Sequence, residues 1–93
     1  MEITEVRILP AAGERLRAYV TVTFDDCFMI RDLKIIRGPK GHFAGMPSKR
    51  GKGGRYYEII SAITAEARNT LEEKVFAEYE KVIGEPVNRR KLS

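Results

Sequence analysis

The sequence predicts an α+β fold: a largely antiparallel β-sheet of four to five strands, followed by one C-terminal α-helix. Two observations carry this prediction. Residues 15–24 alternate strictly between polar and apolar side chains, which is the period of a β-strand with one buried face. Residues 67–83 instead place apolar side chains three and four positions apart, which is the spacing of one helix face. A length of 93 residues allows one small domain with a thin core.

Two strands are predicted in the N-terminal third of the chain. Residues 3–9 form the first, with Val6 and Ile8 on one face and Ile3 out of phase with them. The alternating segment forms the second strand. Asp25-Asp26 then predicts a tight turn, because aspartate tolerates the backbone angles of a hairpin loop.

The third predicted strand, residues 27–37, is apolar on both faces. A strand of this kind needs cover on both sides, and the sequence offers a single helix. The pattern therefore predicts a homodimer. The two apolar sets are Cys27, Met29, Leu33 and Ile35 on one face, and Phe28, Ile30 and Ile36 on the other.

Short β segments and one helix complete the predicted elements. Residues 42–44 are compatible with an additional short strand, and residues 56–60 return to β character. Thr64 predicts the helix N-terminus, because its hydroxyl can accept a hydrogen bond from a free backbone N–H. Gly84, followed by Pro86, predicts the helix end.

We expect one domain, residues 1–84, and a basic, frayed tail at residues 85–93. The N-terminus lacks a basic region followed by an apolar stretch, so no signal peptide is expected. No apolar run approaches the roughly 18 residues of a membrane span. These features predict a cytoplasmic protein.

Basic charge is concentrated in one glycine-rich stretch, residues 38–55. The wider window from Leu33 to Tyr57 carries seven basic and no acidic side chains, whereas the rest of the chain has 10 basic and 13 acidic ones. The net charge of +4 therefore comes from one region. Such a loop predicts a polyanion surface, since cations release counterions from phosphates and glycines let the backbone approach closely. The predicted binding residues are Lys40, Lys49, Arg50, Lys52 and Arg55.

Other kinds of site are disfavoured by the sequence. The glycine-rich stretch is not a phosphate-binding P-loop, because five residues rather than four separate Gly45 from Gly51-Lys52, and Gly53 replaces the metal-binding hydroxyl. Cys27 and His42 are the only cysteine and histidine, so we expect no metal site, cofactor or catalytic residue. Cys27 is interpreted as a small packing residue beside a turn.

Three stretches of the chain carry a family resemblance. They are Met-Glu-Ile-Thr-Glu-Val-Arg at residues 1–7, Asp-Leu-Lys-Ile-Ile at 32–36 and, above all, Met-Pro-Ser-Lys-Arg at 46–50. These residues resemble the SpoVG family, the bacterial septation and stage V sporulation protein G. The resemblance covers residues 1–82. At Gly51 to Gly54 this chain replaces a more polar turn of the family, which makes its loop more basic and more flexible.

The resemblance implies a small bacterial regulatory protein that binds DNA and RNA. It further implies a homodimer built on a β-sheet with a C-terminal helix, and a link to septation, cell division and sporulation-type gene control. An enzyme is not implied.

For three arginines, the sequence is compatible with either a phosphate-binding role or an ordinary structural one. Arg68, in the first turn of the predicted helix, could share a phosphate with the helix N-terminus, or it could pair with Glu72 four residues later. We include it among the candidate nucleic-acid-binding residues. Arg15 and Arg17 on the second strand could extend the basic patch or be ordinary surface charge.

Two other functions compete with nucleic-acid binding. The first is a protein-interaction module whose basic loop docks an acidic partner. The second is an enzyme acting on a phosphorylated small molecule, which lacks a visible nucleophile–base pair. If the chain binds nucleic acid, Tyr56 or Tyr57 could stack on bases. Strand alternation predicts that only one of these two side chains faces solvent.

Overall fold

The computed structural model describes residues 1–90. Over this range the chain forms six β-strands, a short 3-10 turn at Lys52–Gly54 and one α-helix. The elements are β1 (Ile3–Pro10), β2 (Leu16–Phe24), β3 (Phe28–Gly38), β4 (Gly41–Gly45), β5 (Ser48–Arg50), β6 (Tyr56–Glu58) and α1 (Ala65–Ile83).

The strands divide into two sheets. Strands β1 to β4 form an antiparallel sheet in chain order, and β5 and β6 pair in a separate two-stranded ribbon. The predicted α+β class is confirmed. Strand β5 is an addition, because it lies inside the stretch that the sequence predicts as one loop.

The core lies between α1 and one face of the four-stranded sheet. Alternate residues of β2 are buried there, as the strict period of two predicts. The rest of the core comes from β3, from α1 and from the residue after β4. Its buried members are Ala18, Val20, Val22, Leu33, Ile35, Met46, Val75, Phe76 and Tyr79.

Both ends of α1 follow the predicted capping chemistry. The Thr64 hydroxyl accepts a hydrogen bond from the Ala67 backbone N–H at 3.0 Å. Gly84 adopts a left-handed conformation with φ of 75° and donates its N–H to the Glu80 carbonyl at 2.9 Å. No helix within residues 1–90 has the length and apolar character needed to cross a membrane.

The turn between β2 and β3 is confirmed, but one of its residues differs from expectation. Asp25 and Asp26 both have positive φ, 50° and 54°, and the Cys27 N–H donates to the Phe24 carbonyl at 3.0 Å. Cys27 is exposed, so its interpretation as a packing residue is wrong. The tight turn holds it outside the sheet, where no core surface is available.

Strand β3 does not have the two apolar faces that the sequence predicts. Its register against β2 shifts between the pairs Val20↔Leu33 and Val22↔Ile30, so one residue of β2 opposes two of β3. Asp32, with φ of 64°, lies in this bulge. Because one extra residue reverses the alternation, Ile30 packs against the same core as Leu33.

The C-terminal segment, residues 87–90, is ordered against β4, so the prediction of a frayed tail is wrong for these residues. The His42 N–H donates to the Asn88 carbonyl at 2.8 Å, and the Arg90 N–H donates to the His42 carbonyl at 2.8 Å. Val87 packs against the core. The outer edge of β4 offers backbone groups that this segment satisfies. Residues 91–93 of the predicted tail lie outside the described residues.

Candidate nucleic-acid interface

The predicted basic loop is, in its second half, a projecting hairpin that we call the basic arm, residues 48–58. Strands β5 and β6 pair Ser48 with Glu58 and Arg50 with Tyr56. Every residue of the arm except Gly51 is exposed. An isolated two-stranded ribbon is marginally stable in water, so the arm depends on its turn and on its root for its shape.

The root of the arm is fixed in the core. Met46 and Pro47 are buried, and the Pro47 carbonyl accepts a hydrogen bond from the Ile59 N–H at 2.8 Å. The arm therefore leaves the domain at a defined place while its tip stays in solvent.

The tip of the arm is a tight, glycine-dependent turn. The Gly51 N–H donates to the Arg55 carbonyl at 2.7 Å. Gly53 and Gly54 have φ of 77° and 79°, a conformation that favours glycine. The Tyr57 ring lies directly over Gly51, where an added Cβ would come within 2.2 Å of it.

Replacing Gly51 by alanine is expected to displace the Tyr57 ring and to disorder the arm, because no side chain fits between the two residues. The melting temperature should change little, since the arm contributes nothing to the buried core. Amide chemical shifts of residues 48–58 measure the first effect and circular dichroism the second. Lys52→Ala, in the same turn, is the control. Unchanged shifts in the Gly51 variant would contradict the close packing.

Four cations of the arm are free of acidic partners. Over residues 1–90 the ion pairs are Arg7–Glu5, Arg68–Glu72 and Arg89–Glu72, and none involves the arm. The single carboxylate on the arm, Glu58, accepts a hydrogen bond from the Ser61 hydroxyl at 2.8 Å. The arm thus carries four cations against one carboxylate, an excess of positive charge. Its cations are Lys49, Arg50, Lys52 and Arg55.

Lys40 is not part of this group. It lies in the turn between β3 and β4, and the five residues of β4 separate that turn from the root of the arm. At about 3.3 Å per residue, β4 alone spans roughly 16 Å. The structure therefore does not bring Lys40 together with Lys49 and Arg50.

Arg68 is committed to contacts within the protein. Its guanidinium donates to the Ala44 carbonyl, and its Nε lies 3.6 Å from the Glu72 carboxylate. The side chain is 19% exposed. Of the two sequence-based alternatives for Arg68, the structure shows the pair with Glu72, and its guanidinium links α1 to β4.

From the sequence, Glu72 is considered only as a possible partner of Arg68, and its burial and its other contacts are missed. It is fully buried and accepts a hydrogen bond from the Ala44 N–H at 2.9 Å. Arg89 approaches its other oxygen at 3.7 Å and lies over the Phe76 ring. A signal was present, because Glu72 occupies the core stripe of α1 three residues before Val75 and four before Phe76.

The arm and the segment after it expose apolar side chains. Tyr56 is 72% exposed and Tyr57 55%, so the expectation that only one faces solvent is wrong. The reason is that the ribbon has no cover on either face. Ile59, Ile60 and Ile63 follow, and Ile63 is 93% exposed.

Similarity to known proteins extends over the arm and most of the domain. The model of the SpoVG family matches residues 1–81. A protein of Anaeromyxobacter sp. (strain Fw109-5), named "Putative septation protein SpoVG", is 49% identical over 81 residues, which are 87% of this chain and 84% of that protein. Its namesake in Myxococcus xanthus is 46% identical over 87% and 82% of the two chains. The Phytoplasma australiense protein of that name is 39% identical over 94% and 92%.

Proposed function

The chain belongs to the SpoVG family of septation proteins, and from this premise we propose that it is a regulatory protein that binds DNA or RNA through the basic arm. The observation that carries the proposal is a glycine-rich hairpin with four exposed cations, none of which has an acidic partner within residues 1–90. Cations of this kind bind phosphates and release counterions. We further propose that binding serves septation and sporulation-type gene control in the cytoplasm.

The arm supplies two kinds of contact to a nucleic acid. Lysine and arginine contacts to phosphates position the protein on the strand. The exposed Tyr56 and Tyr57 rings are platforms on which bases can stack, a contact that tolerates any sequence. Base reading is assigned to Arg50 or Arg55, whose guanidinium can donate two parallel hydrogen bonds to guanine.

Selection of bound oligonucleotides from random DNA and RNA pools, at two salt concentrations, tests the proposal. Enrichment that weakens as salt rises is expected, because phosphate contacts dominate affinity. Absence of binding to any pool at low salt would contradict it.

An acidic protein partner is the competing occupant of the same arm, since unpaired cations also attract carboxylates. Retention of an acidic protein by a chain that binds neither DNA nor RNA would favour this alternative. We propose a binding protein rather than an enzyme, because what distinguishes the arm is a set of exposed cations without ion-pair partners among residues 1–90.

We also propose that the protein is a homodimer. The sequence-based prediction relied on the apolar faces of the third strand, whereas this proposal relies on an exposed apolar segment. The exposed apolar segment at Ile59, Ile60 and Ile63 is the surface that a second copy would cover. Sedimentation equilibrium at micromolar concentration is expected to give about twice the chain mass of 10.6 kDa.

A matched pair of variants locates this contact. Ile63→Ser should shift the protein toward the monomer, because it removes an exposed apolar group from the proposed interface. Val82→Ser, at a half-exposed position on α1, should leave the dimer intact. A wild-type protein that sediments at the mass of one chain at every concentration would contradict the dimer.

A further inference from the structure

A cleft of about 450 Å³ lies at the end of the sheet opposite the basic arm. Strand β4 runs from this cleft, at Gly41 and His42, toward the root of the arm. Ile83 and residues 85–88 form one wall, and they follow the part of the chain that the family model matches.

Two arginines line the cleft, and each has guanidinium N–H groups available to a ligand. Arg37 is exposed, and its guanidinium takes part in none of the ion pairs found over residues 1–90. Arg17 donates one hydrogen bond, to the Gly13 carbonyl at 2.7 Å, which leaves its other N–H groups available. Arg15 lies beside them, since the Arg37 N–H donates to its carbonyl at 2.7 Å. A shallow second cleft shares Arg37 and adds Arg15.

His42 adds a third polar group with a defined tautomer. Its Nδ1 lies 3.1 Å from the Asn88 carbonyl oxygen. A carbonyl oxygen only accepts hydrogen bonds, so Nδ1 carries the proton in this contact. The Nε2 atom is left to contact a ligand, as an acceptor in the neutral ring or as a donor in the protonated ring.

Negative groups limit what the cleft can hold. Glu85 lines it, Glu14 lines the adjoining cleft, and the C-terminal end of α1 places its partial negative charge nearby. Three arginines outnumber these two carboxylates. The arrangement suits a compact anionic head group rather than a long polyanion laid along the surface.

We propose that this cleft binds a terminal phosphate group, held by Arg17 and Arg37. Guanidinium groups pair with phosphate oxygens through two parallel hydrogen bonds, which favours a terminal phosphate with several free oxygens. A volume of 450 Å³ lies within the range of small-ligand pockets. The phosphate belongs either to a small phosphorylated molecule or to the 5′ end of a nucleic-acid strand.

Calorimetric titration with inorganic pyrophosphate, at physiological salt to suppress loose ion pairing, tests the site. Arg37→Gln should weaken binding about tenfold, the effect of losing one charge-assisted hydrogen-bonded contact. Lys74→Gln, which removes an exposed cation from α1, and the double variant Lys49→Ala, Arg50→Ala should bind pyrophosphate like the wild type. No binding by the wild type, equal binding by the Arg37 variant, or loss of binding in the arm variant would each overturn the proposal.

Oligonucleotides with and without a 5′-phosphate distinguish the two sources. A wild-type preference for the phosphorylated strand that disappears in Arg37→Gln assigns the site to nucleic-acid ends. Pyrophosphate binding without such a preference assigns it to a free small molecule. Because the arm variant is tested in parallel, failure at the cleft and failure of the arm as a nucleic-acid interface give separate results.

Discussion

Glu72→Ala is expected to lower the free energy of unfolding by about 3–5 kcal/mol, the cost of breaking a buried charge network by removing one partner. The substitution leaves the Ala44 N–H without its acceptor and removes the carboxylate that pairs with Arg68 and Arg89. It also opens a cavity beside Val75. Urea unfolding followed by circular dichroism measures the change, at fixed protein concentration because a dimer makes stability concentration-dependent.

Two further variants separate charge from hydrogen bonding at this position. Glu72→Gln keeps an acceptor for Ala44 and loses the charge, so an intermediate loss is expected. Glu73→Ala removes an exposed carboxylate one residue away and should change stability by less than about 0.5 kcal/mol. A Glu72→Ala protein as stable as the Glu73→Ala protein would mean that the cost of burying the carboxylate cancels its contacts.

The double variant Lys49→Ala, Arg50→Ala is expected to lose most nucleic-acid affinity while the domain stays folded. A dimer with six to ten phosphate contacts should lose roughly 10³- to 10⁵-fold in affinity between 50 and 200 mM salt. Removing two cations from each arm should reduce the salt slope on duplex DNA by about 3 to 4. Neither side chain contacts the core, so circular dichroism should not change.

Fluorescence anisotropy at several salt concentrations measures affinity and slope together. The matched control is Lys74→Ala, Lys81→Ala, which removes the same charge from the exposed side of α1. Sequence alone suggests another control, deletion of residues 88–93, which also removes three cations. That deletion is unsuitable, because it would take Arg89 from the buried Glu72. Equal affinity and slope in the arm variant and the wild type would exclude the arm as the interface.

The placement of the cations shows why a charge count along the chain does not define a surface. Lys40 and Lys49 belong to the same acid-free window, yet Lys40 precedes β4 and Lys49 lies in β5, so the length of β4 separates them. Arg17, Arg37 and the C-terminal segment, far apart in sequence, instead meet around one cleft. Strand direction and sheet order decide which charges become neighbours.

Core membership also depended on pairing between strands. Ile3 is out of phase with Val6 in the sequence, but a register shift after it lets Ile3 pack against the core. The bulge near Asp32 does the same for Ile30 in β3. A bulge arises from how two strands fit each other, so the alternation of a single strand does not reveal it.

The sequence by itself determined the fold class, the hairpin turn at Asp25-Asp26 and both ends of α1. These features depend on interactions between residues close in the chain, such as capping hydrogen bonds, left-handed turn residues and the period of side-chain burial. Only the tertiary structure decided the roles of Glu72, Arg68 and the C-terminal segment. Their contacts form around Ala44 and the outer edge of β4, between groups 24 to 46 residues apart. A hydrogen bond across such a separation depends on how distant elements pack, so the helix pattern marks Glu72 as a core position and pairs it with Arg68 but does not identify its partners on β4.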